Sequence, residues 1–172
     1  MKKTEIIMHI SVSADGFLAT ADGDSDWVSP IDCDLFEKRM KEAGCVIVGR
    51  KSFDQYAGDL YPVKGIANIV LTHKQAPKTL QDGVFYCSSP LKAVACAAGL
   101  GCKTAILAGG AHANGAMLRA GLIDEIFLTV HPLILGSGMK LFEDAHMTAA
   151  LKLLDTRKLG EGLVELHYRV AR

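Results

Sequence analysis

Residues 44–53 read GCVIVGRKSF, and the fold turns on whether this stretch is a loop or a strand. Gly44, four residues and Gly49, followed by bases and a serine, mimic the spacing of a phosphate-binding P-loop. In that loop the intervening residues curl so that backbone N–H groups face phosphate, and a lysine directly follows the second glycine. Here the four are Cys45, Val46, Ile47 and Val48, which favour an extended chain, and Arg50 intrudes before Lys51. The stretch therefore predicts a strand over 45–48 ending at Gly49, with a helix starting near Lys51 and Ser52. Backbone N–H groups at that helix start and the Ser52 hydroxyl suit one phosphate. Arg50 and Lys51 suit a second, terminal one. A capping serine with two solvated bases is the ligand-free reading of the same residues.

Outward from this stretch, β-branched runs alternate with helical patterns. Strands are predicted over 6–12, 68–72, 83–87 and 104–110, several too apolar for a sheet wet on one face. Helices are predicted over 32–44, 90–99 and 113–122, with acids early and Gly44 as a stop in the first. Alternation of this kind predicts an α/β domain with a mainly parallel central sheet. The C-terminal part differs: a long strand over 123–135 precedes a hairpin of 151–159 with 163–171 through Gly160-Glu161-Gly162. In its last strand Val164, Leu166, Tyr168 and Val170 alternate with Glu165, His167 and Arg169, which predicts one wet face on an antiparallel edge.

The 172 residues fit one domain over 1–172, with no repeat or linker. Nineteen bases balance nineteen acids, which gives no case for nucleic acid or a membrane surface. No apolar run reaches the length of a membrane span and the N-terminus lacks a signal-peptide pattern, so a cytoplasmic location is expected. Five cysteines without metal-ligand spacing read as reduced thiols, and no metal site is expected.

A second strand end strengthens the phosphate reading. TAILAGGAHANG (104–115) delivers Gly109-Gly110 directly before a helix, where backbone can approach a pyrophosphate closely. The spacing is not GxGxxG. Two such strand ends in one parallel sheet nevertheless suit a dinucleotide lying across the strand C-termini.

Four blocks carry a family resemblance: SADGFLATADGDSDWVS (13–29), CVIVGRKSF (45–53), AGGAHANGAMLRAGLIDEIFL (108–128) and HPLILGSGMKLF (131–142). In order and spacing the chain resembles the dihydrofolate reductase-like superfamily, in its branch of riboflavin-pathway pyrimidine reductases. The resemblance implies a three-layer dihydrofolate reductase-like fold, NADPH as cofactor, hydride transfer to a carbonyl or imine carbon, and a homodimer. It places Ser11 and Ala19 at the nicotinamide and Trp27 against the cofactor. Gly49 and Ser52 would hold the pyrophosphate, and Arg50 and Lys51 would lie beside the adenosine 2′-phosphate with Thr72, His73 and Lys74. Gly109, Gly110, Ala111, His112, Ala113 and Asn114 would form the second phosphate loop, although a solvated His112 is an equal reading.

Departures fall on the substrate side. Ile66 stands where dihydrofolate reductase has an arginine, Ala108 where the riboflavin branch has a glutamate, and QYAGDLYPVK (55–64) where that branch has an acidic and basic segment. Ser25 is retained as a substrate contact, and Arg39 falls near the branch's helix arginine. By analogy Asp32 is the candidate proton donor and a substrate contact, with a pKa raised in a partly apolar cleft. Asp32 and Asp34 also suit a helix N-terminus. Asp15 reads as a turn residue, and His9 and His131 as satisfied interior residues. The expected function is NADPH-dependent reduction resembling that of 5-amino-6-(5-phosphoribosylamino)uracil reductase. Dihydrofolate reduction and a non-catalytic NADPH-binding module are the alternatives.

Overall fold

The computed structural model describes residues 3–79, 81–143 and 145–171. In chain order the elements are β1 (Glu5–Ser13), β2 (Phe17–Ala19), α1 (Pro30–Ala43), β3 (Cys45–Gly49), α2 (Arg50–Gln55), β4 (Ala67–Leu71) and β5 (Val84–Cys87). Then follow α3 (Pro90–Gly99), β6 (Thr104–Leu107), α4 (Ala111–Arg119), β7 (Glu125–His131), β8 (Met139–Lys140), β9 (Leu151–Gly160) and β10 (Leu163–Val170). GCVIVGRKSF resolves as expected, into a fully covered strand and the start of a helix.

The central sheet has eight strands in the order β5-β4-β3-β6-β1-β7-β10-β9. Its first six are parallel, and β10 and β9 add an antiparallel edge. Alternation along β3 shows why this strand must be central. Cys45 and Ile47 join a core with α3 and α4, through Ala93, Ala97 and Met117. Val46 and Val48 join the opposite core, with Met40 of α1 and Phe53 of α2. Both faces are buried, so every residue of Cys45–Val48 is apolar. Three layers result.

Helix ends follow local chemistry. Ser29 caps α1 and Pro30 opens it, with its missing N–H at a position that needs none. Gly44 ends α1 in the left-handed region at φ 70°, where a side chain would be strained. The strand predicted over 123–135 stops at His131, because Pro132 has no N–H to continue the ladder. The two-stranded sheet of β2 with β8 was not expected; both strands are too short for an alternating pattern to show.

The wet face expected on β10 is a correction. Glu165 is only 1% exposed, because Arg39 reaches it from α1 at 2.5 Å and Arg157 reaches it from β9. Paired guanidinium groups let a carboxylate occupy a face that its charge alone would leave in water.

Candidate active site

The order of the strands creates the site. After β3 the chain runs outward through α2 to β4; after β6 it runs the other way through α4 to β7. Between β3 and β6 the two connections diverge, the switch point at which open α/β sheets bind ligands. The two glycine motifs meet there. Gly49 N–H donates to Gly109 O at 2.7 Å, and a Cβ on Gly110 would lie 2.8 Å from Ser52 Oγ. The Gly109–Gly110 peptide is cis. α4 starts at Gly110 with no side-chain cap, which leaves its first backbone N–H groups available to an anion.

A cleft of about 520 Å³ opens from this junction. One end is lined by Lys51, Ser52, Gly110 and Ala111, and the floor by Ile10, Ser11, Ala19 and Ala108. The other end is lined by Phe36 and Cys33 of α1, by Tyr56, Leu60 and Tyr61 after α2, and by Ser25 and Val28. The loop carrying Ser25 is tied to the far wall: Gln55 Nε2 donates to Gly23 O at 2.9 Å, and Ser25 Oγ lies 2.6 Å from the Tyr56 hydroxyl.

Several expected residues stand on this wall and several do not. Ser11, Ala19, Ser25, Lys51, Ser52, Gly110 and Ala111 line the cleft. Arg50 and Lys51 diverge, as adjacent helical residues do. Lys51 lines the cleft, whereas Arg50 Nε donates to both carboxylate oxygens of Asp54 and its guanidinium lies 5.4 Å from the Tyr86 ring centre. Thr72 follows β4, pairing N–H to Cys87 O, and its Oγ1 accepts from Lys74 N–H at 3.0 Å. His73 and Lys74 are exposed beyond it. In α4, His112 is exposed with Nε2 3.1 Å from Glu143, while Ala113 and Asn114 are buried, with Asn114 donating to Leu141 O. Trp27 sits edge-on to His131 with ring centres 5.1 Å apart, and its buried Nε1 has no hydrogen-bond partner among the described residues.

Asp32 requires a correction. Its side chain is fully buried beneath the floor instead of facing the cleft. Burial pushes the carboxyl up, but hydrogen bonds from His9, Ser11 and Thr129 outweigh burial and hold it below the ordinary carboxylate value. Ser11 Oγ donates at 2.5 Å, Thr129 Oγ1 at 2.8 Å and His9 Nε2 at 3.0 Å. The expected raised pKa fails because three donors replace the water that burial removes. The tautomer of His9 follows from its other partner: Arg39 NH1 lies 2.9 Å from Nδ1 and can only donate. The proton is therefore assigned to Nε2, facing Asp32.

Arg39 is likewise displaced from its expected substrate role. It bonds Glu165 and His9 and stacks 3.7 Å above the Phe127 ring centre. A guanidinium this heavily engaged is built into the sheet and does not reach the cleft. His9 and His131 are interior and bonded, as expected; the latter's Nε2 accepts from Ser29 N–H and its Nδ1 faces Thr129 O. Asp15 ties two loops: its carboxylate accepts from Ser13 Oγ and from the N–H groups of Leu135 and Gly136.

Tyr56, Leu60 and Tyr61 were missed as site residues. Their segment departs from the family pattern, and no spacing signal could show that it folds back over the cleft. Cys33 is also on the wall, but burial, with the charges of Asp32 and Asp34, raises its thiol pKa and keeps it a weak nucleophile. Among the described residues, no group of three or more His, Cys, Asp or Glu could hold a metal ion, and no helix is long and apolar enough to cross a membrane.

Comparison with known proteins agrees with this architecture. The chain is 29% identical over 182 aligned residues to the uncharacterized protein YyaP of Bacillus subtilis (strain 168), covering 98% of this chain and 96% of that one. The structure resembles that of a putative riboflavin biosynthesis protein from Shewanella sp. PV-4, with a TM-score of 0.81, 24% identity, and 98% and 100% of the two chains covered. It also resembles Saccharomyces cerevisiae riboflavin biosynthesis reductase Rib7, with a TM-score of 0.72, 16% identity, and 99% and 91% covered. These likenesses establish the dihydrofolate reductase-like fold. Residues 4–165 match the model of the RibD C-terminal domain, and the chain belongs to that family.

Proposed function

We propose that the protein is an NADPH-dependent reductase that transfers hydride to a carbonyl or imine carbon of a small molecule. The observation that carries this reading is the meeting of Gly49 and Gly109-Gly110 at the switch point, with Ser52 Oγ where a Cβ on Gly110 would intrude. Only a chain bare of side chains there lets a pyrophosphate approach the backbone. Membership of the RibD C-terminal domain family and the likeness to Rib7 support the same chemistry.

In this reading Ser52, Lys51 and the first N–H groups of α4 hold the pyrophosphate. Arg50, with Thr72, His73 and Lys74 at the neighbouring strand ends, receives the adenosine 2′-phosphate. Bound NADPH would supply the hydride. Ser11 and Ala19 form the floor against which the nicotinamide lies, and Leu18 and Met139 help exclude water. Asp32 acts through Ser11: a carboxylate held ionised fixes the direction of the Ser11 hydroxyl and hence the shape of that floor.

A homodimer is part of the proposal. β9 is the outer strand of the sheet, and Leu151, Leu153 and Leu154 on it are 46%, 52% and 36% exposed. A ten-residue edge strand with leucines in water invites pairing. Leu153→Asp is expected to shift sedimentation from dimer to monomer; a wild-type monomer would refute this part.

The test of the main reading is NADPH titration followed at 340 nm, then oxidation of the bound cofactor on adding a carbonyl panel that includes the phosphoribosylamino-uracil intermediate and dihydrofolate. No NADPH affinity sinks the reading. Affinity without oxidation of any compound favours the non-catalytic module.

A further inference from the structure

The end of the cleft away from Gly110 carries its own information. Phe36, Tyr56, Leu60, Tyr61 and Val28 give it flat, apolar walls. The acids lining the cleft are Asp26 and Asp59, and His9 lines it beside Phe36, with ring centres 5.1 Å apart and its Nδ1 turned to Arg39. Among the described residues lining the whole cleft, Lys51 is the single lysine or arginine, and it stands beside Ser52 at the glycine junction. The arginine of α1 is spent elsewhere, bonded to Glu165 and His9 and stacked on Phe127. For a neutral polar group the wall offers the Ser25 and Tyr56 hydroxyl pair.

We infer that this end of the cleft selects a flat, largely apolar carbonyl or imine compound that carries no phosphate or carboxylate. The reaction assigned to that compound rests on the reductase reading; the selection rests on the walls. With Lys51 engaged at the glycine junction, an anion entering here would lose water without gaining a second cation, which is costly. It would also face two carboxylates, and each like-charge pair at contact distance costs on the order of 1 kcal/mol even in bulk water. Aromatic walls instead favour a planar ring by stacking and apolar burial. Two acids lining the cleft therefore discriminate by repelling the wrong ligand as well as by accepting the right one.

The test is calorimetric titration of the full chain, both NADP⁺-saturated and cofactor-free, with three probes built on one ring. They are 2-naphthaldehyde, its 6-carboxy derivative and its 6-trimethylammonio derivative, alongside ribose 5-phosphate. The neutral and cationic probes are expected to bind at least about tenfold more tightly than the carboxylate, with ribose 5-phosphate not binding at this end. The double variant Asp26→Asn with Asp59→Asn should bring the carboxylate probe to within about threefold of the neutral one. Equal or tighter binding of the carboxylate or of ribose 5-phosphate by the wild type overturns the inference. So does an unchanged preference in the double variant, or an absence of aldehyde binding in both states. Failure of NADPH to bind while the neutral probe still does would remove the reductase reading and leave the selection standing.

Discussion

The two ends of the cleft are built from different materials. The end at Gly49 and Gly110 is made of backbone: a strand end, a bare glycine pair and an uncapped helix start. The end at Phe36 and Tyr56 is made of side chains from three separate segments. Backbone sites tolerate little change, because adding one carbon removes the space that the ligand needs. Side-chain sites can be rewritten by a few substitutions while the fold stands. One sheet can thus keep a cofactor and change its substrate, which is how one fold hosts many functions.

Beneath the floor between the two ends lies Asp32, bonded to Ser11, and removing it is the harshest way to break the contrast. Asp32→Ala leaves the donors on His9, Ser11 and Thr129 without their acceptor. We expect a loss of about 3–5 kcal/mol in urea denaturation; a loss below about 1 kcal/mol would show that the carboxylate is not the hub of that cluster. Gly110→Ala should be gentler on the fold and hard on the cofactor. Its Cβ would lie 2.8 Å from Ser52 Oγ, and NADPH affinity should fall by about thirtyfold, with melting temperature little changed. Unchanged affinity would mean that the glycine junction is not the phosphate site.

Finer cuts separate the two bases. Lys51→Ala should weaken NADPH by about tenfold, whereas Arg50→Ala should weaken it less, because Arg50 already pairs with Asp54. In fluorescence titrations the Arg50→Ala loss should be larger for NADPH than for NADH, whereas the Lys51→Ala loss should be similar for both, since both carry the pyrophosphate; equal losses for Arg50→Ala would refute its 2′-phosphate role.

The smallest effect concerns acid. Burial raises the Asp32, Glu125 and Glu165 carboxyls, yet all three end below their ordinary values. Partners outweigh burial: His9, Ser11 and Thr129 for Asp32; Arg169 and His167 for Glu125; Arg39 and Arg157 for Glu165. A carboxyl with a depressed folded pKa stabilises the fold fully above its unfolded value. That stability is lost as pH falls through the folded one. Stability should therefore fall progressively below about pH 4.5, and Asp32→Asn should flatten the lower part of that decline. A slope unchanged by Asp32→Asn would show that Asp32 does not contribute to it.

The backbone end was legible in the sequence for a physical reason. Apolar runs closed by glycine and followed by helix-forming residues depend on short-range sterics and on burial of both strand faces, and both leave a local mark. GCVIVGRKSF and TAILAGG carry those marks. The side-chain end was not legible, because nothing local shows where a chain will fold back. Asp32 was placed on the correct helix but given the wrong environment, since its three donors come from β1 and β7. Arg39 was expected at the substrate and is held by β1 and β10. Tyr56 and Leu60 lay in a segment noted only for what it lacks.

By itself, then, the sequence determined the parallel core with its antiparallel edge and the two strand ends closed by glycine. Those features follow from periodicity, chain stiffness and the conformational freedom of glycine, all properties of a few consecutive residues. Only the tertiary structure decided that the two glycine motifs touch, that Asp32 is buried and held ionised by three donors, and that aromatic side chains from distant segments line one cleft. These depend on contacts between residues distant in the chain, where burial and pairing with partners outweigh the preferences of any single residue.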